Sequence, residues 1–407
     1  MQTEWSSFTL ENALEELIDY RGKSPLKAEE GVPVISAKVV KNGRILSPIE
    51  QKIAPDYYPF WMTRGLPKIG DVVMTTEGPM GEVAQLDAQT SKYALGQRVV
   101  CMRGKEGILD NTFFKFFLTS PAQQAVLHSF TTGTTVAGIS QKALRSIPIF
   151  LPPYEDQVAI GRLLGTIDSK IELNRQMNET LEAVARAIYK DWFVDFGPTR
   201  SKFEGNAPYL EPAIWSLFPD RLDVDGKPEG WQEKRLEDIL ELAYGKALKA
   251  SERANGSVPV YGSGGVTGFH STALVDGPSI IVGRKGTVGS LFWEPGPFFP
   301  IDTVFYVKPK VPLTFCFYLL QTLGLEKMNT DAAVPGLNRN NAYRLTVSLS
   351  RTEILRAFDE IVNPLREKIR ANIEESRTLA QTRDLLLPRL MSGEARVVGD
   401  SSLGGTS

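Results

Sequence analysis

The chain states one pattern twice. The stretch VAGISQKALRSIPI at 136–149 returns as VPGLNRNNAYRLTV at 334–347 without a gap, pairing Val136 with Val334, Gly138 with Gly336, Ile147 with Leu345 and Ile149 with Val347. The doubling reaches further. WSSFTLENAL (5–14) aligns with WQEKRLEDIL (231–240), and VPVIS (32–36) with VPVYG (258–262). DVVMTTEGPMGEV (71–83) aligns with SIIVGRKGTVGSL (279–291), keeping Gly78/Gly286 and Gly81/Gly289. The register changes between blocks, as insertions in loops would make it. Two copies cannot form a solenoid, whose neighbours share cores across three or more units. Each copy therefore has to be a domain with its own core, and 407 residues are in any case too many for one.

Within a copy the expected fold class is mixed α/β. Short β-branched runs (VPVISAKVV, DVVMTT, QRVVCM, then PSIIV and TVFYV) are punctuated by Gly and Pro, as strands are. One helical stretch follows, NTFFKFFLTSPAQQAVLHSF in the first copy and LTFCFYLLQTLGLEKM in the second. The Gly-containing repeat motif then leads into a short strand.

After each copy the periodicity changes. Ile160, Leu164, Ile167, Ile171, Asn174, Asn178, Leu181, Ala185, Ile188 and Trp192 step 4-3-4-3, which is a heptad seam. The second copy repeats it with Phe358, Val362, Leu365, Ile369, Asn372, Ser376, Leu379, Arg383, Leu386 and Leu390. Asn174 and Asn372 coincide. A polar residue in a seam costs stability and sets register. Two readings are open: two long antiparallel helices paired as a coiled coil, or each helix packed on its own domain. Either way a helix of roughly 38 residues would run about 55 Å.

The resulting plan has a first domain at 1–153, a long helix at 154–196, a Pro- and Gly-rich linker at 197–230, a second domain at 231–350, a second long helix at 351–395 and a disordered tail at 396–407. No apolar stretch approaches the roughly 18 residues of a spanning helix, and the start MQTEWSSFTL lacks a basic-then-apolar signal. Two cysteines, Cys101 and Cys316, cannot build a disulfide framework. A cytoplasmic address is expected. The net charge of −2 excludes an overall basic protein, yet leaves room for local basic clefts.

Catalytic patterns fail one by one. YRGKS (20–24) ends like a phosphate-binding loop, but Leu17 stands where its first Gly belongs. GSGGVTG (262–268) has Thr267 where a dinucleotide fingerprint needs its third Gly. LPPY (151–154) lacks the Asp or Asn that adenine amino-methyltransferases place before Pro-Pro-aromatic, so Pro152 and Pro153 only end a strand. PDRLDVDGK (219–227) crowds Asp220, Asp225 and Lys227 too closely for a nuclease site. His128 and His270 have no Cys or carboxylate cluster around them and read as helix-surface or loop residues. The chain is expected to perform no chemistry and to hold no metal or cofactor.

The informative residues are then the polar ones that differ between matching loops. In the first copy these are Thr134, Thr135, Gln141, Lys142 and Arg145; in the second, Asn338, Arg339, Asn340, Asn341 and Arg344. Arg, Lys, Asn and Gln read base edges in the major groove. TTEG (75–78), with Thr75 and Thr76, becomes GRKG (283–286), which offers Arg284 and Lys285, while Lys23, Lys38, Lys41, Arg44, Lys246 and Lys249 add cations near matching strands. Any one of these taken singly is ordinarily a solvated surface residue. The pattern of kept scaffold and divergent loops suits two heads reading different short sequences. A two-headed scaffold binding protein or glycan is the alternative.

IDSKIELNRQMNETLEAVARAIYKDWFVDFGP (167–198), down to its WFVDF ending, resembles the central spacer helix of specificity (S) subunits of type I restriction-modification enzymes, and PEGW (228–231) is similar to that family's entry into the second half. The resemblance spans almost the whole chain. It implies two target-recognition domains, each reading half of a bipartite, asymmetric site on double-stranded DNA, with the helices as a ruler for the spacer. It also implies docking of two modification (methyltransferase) subunits and of restriction subunits, to which methyl donor, ATP and Mg²⁺ would belong. LLLPRLMSGEA (385–395) stands where the second helix would repeat WFVDF, so the two docking sites are expected to be unequal. Trp192, Phe193 and Phe196 are expected to be either aromatic docking anchors or packing onto the adjoining domain.

Overall fold

Each copy begins and ends on the same pair of strands. In the first, Ser6–Thr9 lies antiparallel to Pro148–Leu151, and in the second, Gln232–Arg235 lies antiparallel to Thr346–Leu349. The structure, a computed structural model, describes residues 5–20, 24–133, 137–328 and 336–397. It divides into two compact units. The first holds the chain up to Leu173 together with Glu375 onward, and the second runs from Asn174 to Glu374. These units divide both long helices, so helix and head form one body rather than the separate segments read from the sequence.

Each unit carries a four-stranded antiparallel sheet in the same order. In the first unit it runs Leu14–Asp19, Val99–Gly104, Val72–Thr76, Met80–Gln85. In the second it runs Leu240–Tyr244, Val304–Pro309, Ser279–Gly283, Leu291–Glu294. The central strands are buried on both faces, which is why VVMTT and SIIVG read as continuous apolar runs. Each unit adds a three-stranded sheet, through Val32–Ile35 in one and Val258–Gly262 in the other. The repeated glycines have a backbone reason. Gly81 and Gly289 adopt φ of +90° and +73°, and a Cβ at Gly289 would lie 2.4 Å from the Glu326 nitrogen.

The helical stretch of the first copy is two helices, not one: Asn111–Thr119 and Pro121–Ser129. Pro121 has no N–H to continue the ladder and pushes Ser120 into an extended conformation. Ser120 then caps the second helix, its Oγ accepting from the Gln123 nitrogen at 3.3 Å. In the second copy the helix Leu313–Thr322 stops before Gly324, which sits at φ +64°.

The two long helices, Tyr154–Tyr189 and Thr352–Met391, pair antiparallel within each unit. In the first unit Asp168 meets Arg383 at 2.8 Å and Lys170 meets Glu375 at 3.4 Å. In the second unit Arg366 meets Glu182 at 2.7 Å, while Asn372 Nδ2 donates to Asn178 Oδ1 at 2.8 Å and Asn174 Nδ2 donates to the Asn372 carbonyl at 3.4 Å. Every seam position is buried or half-buried. Both open readings hold together, because the helices also enter the globular cores. Ile160, Leu164, Leu387 and Leu390 share a cluster with Leu10, Phe113 and Ile149. Ala185, Phe358 and Val362 share one with Leu240, Phe305 and Tyr318. Replacing Asn372 by Leu should cost about 1–3 kcal/mol, because the Asn178 amide oxygen loses the donor that faces it. The pair Asn178→Leu with Asn372→Leu should recover most of that, measured by urea unfolding of the full chain. An unchanged midpoint in the single variant would show the amides to be energetically idle.

The expected linker is folded structure. It contains the helices Gly197–Phe203 and Pro212–Trp215, and its Phe218 is buried in the second unit's core. Lys202 donates to the Phe218 carbonyl at 2.7 Å and lies over the Trp215 ring. The tail beyond Val397 lies outside the described residues. No helix among the described residues is long and apolar enough to cross a membrane.

Candidate nucleic-acid interface

In the second unit three segments distant in sequence converge. The strand Leu240–Tyr244 delivers Tyr244 at its end, half exposed. The turn after Ser279–Gly283 carries Arg284 and Lys285, with Gly286 at φ +83°. The repeat motif docks on that turn: Gly336 bridges Lys285, and the Leu337 nitrogen donates to the Arg284 carbonyl at 2.8 Å. Asn338 then caps the short helix Arg339–Tyr343, its Oδ1 accepting from the nitrogens of Asn340 at 2.9 Å and Asn341 at 3.3 Å.

Two guanidinium groups meet on one ring as a result. Arg284 Cζ lies 4.9 Å and Arg339 Cζ 4.7 Å from the Tyr244 centroid, and Arg339 also lies 5.8 Å from Tyr343. Arg284 is anchored further, donating to the Asp302 carbonyl at 3.0 Å. Contact with an aromatic face uses the plane of a guanidinium and leaves its edges able to donate. Lys246 and Lys285 are exposed on the same segments. The surface is positive, aromatic and rich in planar donors.

The first unit builds the same scaffold with different side chains. Gly138 bridges Glu77, and the Ile139 nitrogen donates to the Thr76 carbonyl at 3.0 Å. Ser140 caps the helix Gln141–Ser146, accepting from the Ala143 nitrogen at 3.1 Å. Where the second unit has Lys285, this one has Glu77, paired with Arg98 at 3.5 Å. Gln141 and Lys142 are exposed, whereas Arg145 pairs with Glu11 at 3.3 Å.

Several expected contacts are placed otherwise. Thr75 and Thr76 are buried at 0% and 2% exposure inside a central strand, and the Thr75 hydroxyl accepts from the Glu82 nitrogen. Threonine suits a strand interior, so their likeness to the exposed GRKG turn misleads. Asn338 spends its carbonyl oxygen on the cap. Arg44 sits 3.7 Å from Glu172 of the long helix, on the hairpin formed by Val40–Lys41 and Arg44–Ile45, beside exposed Lys41. Lys38, Lys249, Asn340 and Arg344 are exposed and Asn341 is half-buried. Lys23, Thr134 and Thr135, with Val136 and Val334 of the motif, lie outside the described residues. Tyr244 was missed by the sequence reading; an aromatic just before Gly-Lys at a strand end was the available signal.

The docking reading of the aromatic ending is corrected too. Trp192 and Phe193 are 1% and 7% exposed, packed with Phe218, Phe315 and Phe358 in the second unit's core. Phe196 packs edge-on against Trp231 at 5.4 Å. A turn of π-helix at Lys190–Val194 rotates these rings inward.

Other suspected motifs have structural roles. Asp223 Oδ1 accepts from the nitrogens of Asp225 and Lys227, so that acidic run is a turn. Pro152 and Pro153 separate a strand from the long helix. His128 is exposed on its helix, while His270 ends a strand and its Nδ1 accepts from the Ala254 nitrogen. Burial pushes the Cys316 thiol up to about 12 and raises Cys101 as well, so neither is a thiolate at neutral pH. No group of acidic, His or Cys side chains among the described residues could hold a metal ion.

These features define a two-unit recognition protein whose loops, not its scaffold, carry the chemistry. A family model described as type I restriction modification DNA specificity domain matches residues 8–183 and 228–375. The chain is 24% identical over 402 residues to the type I restriction enzyme HindI specificity subunit of Haemophilus influenzae, covering 80% of this chain and 87% of that protein. It is 26% identical over 357 residues to the MjaIX specificity subunit of Methanocaldococcus jannaschii, covering 81% and 78%. In fold it resembles a crystal structure of a type I restriction-modification S subunit from M. genitalium, with a TM-score of 0.58, 20% identity and 96% of each chain covered. The chain belongs to the type I restriction-modification specificity family.

Proposed function

We propose that the chain is the DNA-recognition subunit of a type I restriction-modification complex, each unit reading one half of a bipartite, asymmetric site. The observation that carries this is the repeated docking of a glycine motif on a strand turn, Gly138 on Glu77 and Gly336 on Lys285, with divergent polar residues mounted on it. One scaffold with two side-chain sets is what two different half-sites require. The long paired helices set the unread spacer. Two modification subunits dock on the chain, and restriction subunits join them. Specificity subunits are non-catalytic; methylation of adenine and ATP-dependent cleavage belong to the assembled complex.

Partner docking is best supported by apolar residues that the helices leave uncovered. In the first unit these include Leu173 and Leu385, at 51% and 70% exposure; in the second they include Met177 and Ile373. Exposed apolar side chains clustered along a helix suit an interaction face.

The test is methylome sequencing of a host carrying the modification subunit with and without this chain. A bipartite methylated motif should appear only with it, and exchanging residues 1–150 for those of a relative should change one half of the motif. A motif indifferent to the chain would overturn the reading.

A further inference from the structure

We infer that Arg339 reads a guanine in the half-site of the second unit, with Lys246 and Lys285 holding the DNA backbone beside it. The inference rests on the DNA reading proposed above and adds the base.

Arg339 is held differently from Arg98, Arg145, Arg235 and Arg284. Arg98, Arg145 and Arg235 each face a carboxylate, at 3.5, 3.3 and 3.0 Å, and Arg284 is bound to a backbone carbonyl. The Arg339 side chain makes no hydrogen bond or ion pair to a described residue; among the described residues it lies against the rings of Tyr244 and Tyr343. Its Nε is shielded from solvent without a hydrogen-bond partner among the described residues, so the exposure it keeps belongs to the rest of the side chain. A guanidinium laid on two rings, whose terminal donors meet no acceptor among the described residues, suits bidentate recognition of guanine O6 and N7, the commonest specific contact in the major groove. Pre-organisation matters for reading a base, since less freedom is lost on binding. A phosphate asks for less, and the exposed, flexible ammonium groups of Lys246 and Lys285 meet that need.

The repeat supports the same assignment. Arg339 and Gln141 occupy one scaffold position, the first residue of a short helix capped by Asn338 in one unit and Ser140 in the other. The cap, the bridging glycine and the buried Leu337 and Ile139 are kept, while this position changes type. A position that varies on a fixed mount is where specificity is set.

The experiment uses the complex with the modification subunit and duplexes carrying the motif found by methylome sequencing. Each guanine of the second unit's half-site, identified by the exchange of residues 1–150, is replaced by 7-deazaguanine, which lacks the N7 acceptor. One such position should weaken binding by the wild-type complex about tenfold or more. The effect should vanish in Arg339→Met, which keeps the stem and removes the donors, and its methylome should show that position relaxed and the other half unchanged. Lys285→Ala should instead weaken all sequences alike and lower the salt dependence of binding. The inference is overturned if that half-site holds no guanine, or if no 7-deazaguanine weakens wild-type binding. It is also overturned if Arg339→Met weakens every sequence equally with the motif intact, which is the signature of a phosphate anchor. A motif that ignores the chain altogether would remove the DNA reading itself, a distinct failure. The wild-type arm decides even where the variant does not assemble.

Discussion

Replacing Arg103 by Met should destabilise the first unit by about 3–5 kcal/mol, the cost of leaving a buried carboxylate without its partner. Asp71 is 1% exposed and lies against the Arg103 guanidinium in a two-point contact, Nε to Oδ1 at 2.8 Å and Nη2 to Oδ2 at 2.7 Å. Glu16 closes the network at 2.7 Å on Nη1, and the same hydrogen bonds to Asp71 raise the Arg103 pKa further. The single variant would keep the desolvated charge and lose its cationic partner, leaving the Lys68 nitrogen at 2.8 Å and the Cys101 thiol at 3.6 Å as donors to Asp71 Oδ2. The double change Asp71→Leu with Arg103→Met should recover most of the loss, because an apolar pair of similar volume carries no desolvation penalty. Hydrogen exchange of the peptide spanning Val99–Gly104, compared with peptides from the second unit, localises the effect. The second unit provides its own control: the position matching Asp71 is Ser279, whose hydroxyl donates to the Val307 carbonyl at 2.7 Å without any charge. A double variant as unstable as the single one would show the ion pair to be net stabilising.

Trp192→Ala should cost about 3–5 kcal/mol in the second unit, since it empties one of the largest fully buried side chains. The indole packs on Phe193, Phe218 and Phe358 at centroid distances of 6.2, 5.0 and 6.1 Å. The measurable consequence is a lowered unfolding midpoint of the chain itself. Leu173→Ser, by contrast, should leave that midpoint unchanged and weaken co-purification with the modification subunit, because Leu173 is exposed already. If Trp192→Ala kept full stability and lost only partner binding, the indole would be a docking anchor after all.

Much of this was legible in the residues. The repeat announced two cores, and the 4-3-4-3 spacing announced a long helical seam in each half with Asn174 and Asn372 at one position, though not which surface each seam would meet. Both signals are local or periodic, so they survive without knowing any tertiary contact. Gly78, Gly81, Gly286 and Gly289 were legible for a similar reason, since a left-handed backbone leaves its mark on residue type. Pro121 was equally visible as a break, yet a stretch rich in Phe and Leu reads as one helix until the cap at Ser120 is seen.

The candidate site was less legible. Arg284, Lys285 and Arg339 stood out by charge, but Thr75 and Thr76 stood out equally by alignment and are buried. Tyr244 carried only the weak signal of an aromatic before Gly-Lys. Its role exists only because strand pairing brings residues 244, 284 and 339 to one place. Trp192 and Phe193 show the same limit, because a ring's sequence cannot say which face of a helix a π-turn will give it.

Sequence by itself determined the doubling, the helix seam, the absence of a recognisable catalytic motif and the family, because each is written in spacing and residue type along the chain. Only the tertiary structure decided which cations converge on Tyr244, which threonines are sealed in a sheet and that the aromatic ending is core. Those outcomes depend on long-range burial and pairing, where the free energy of a side chain is set by neighbours that the local sequence does not name.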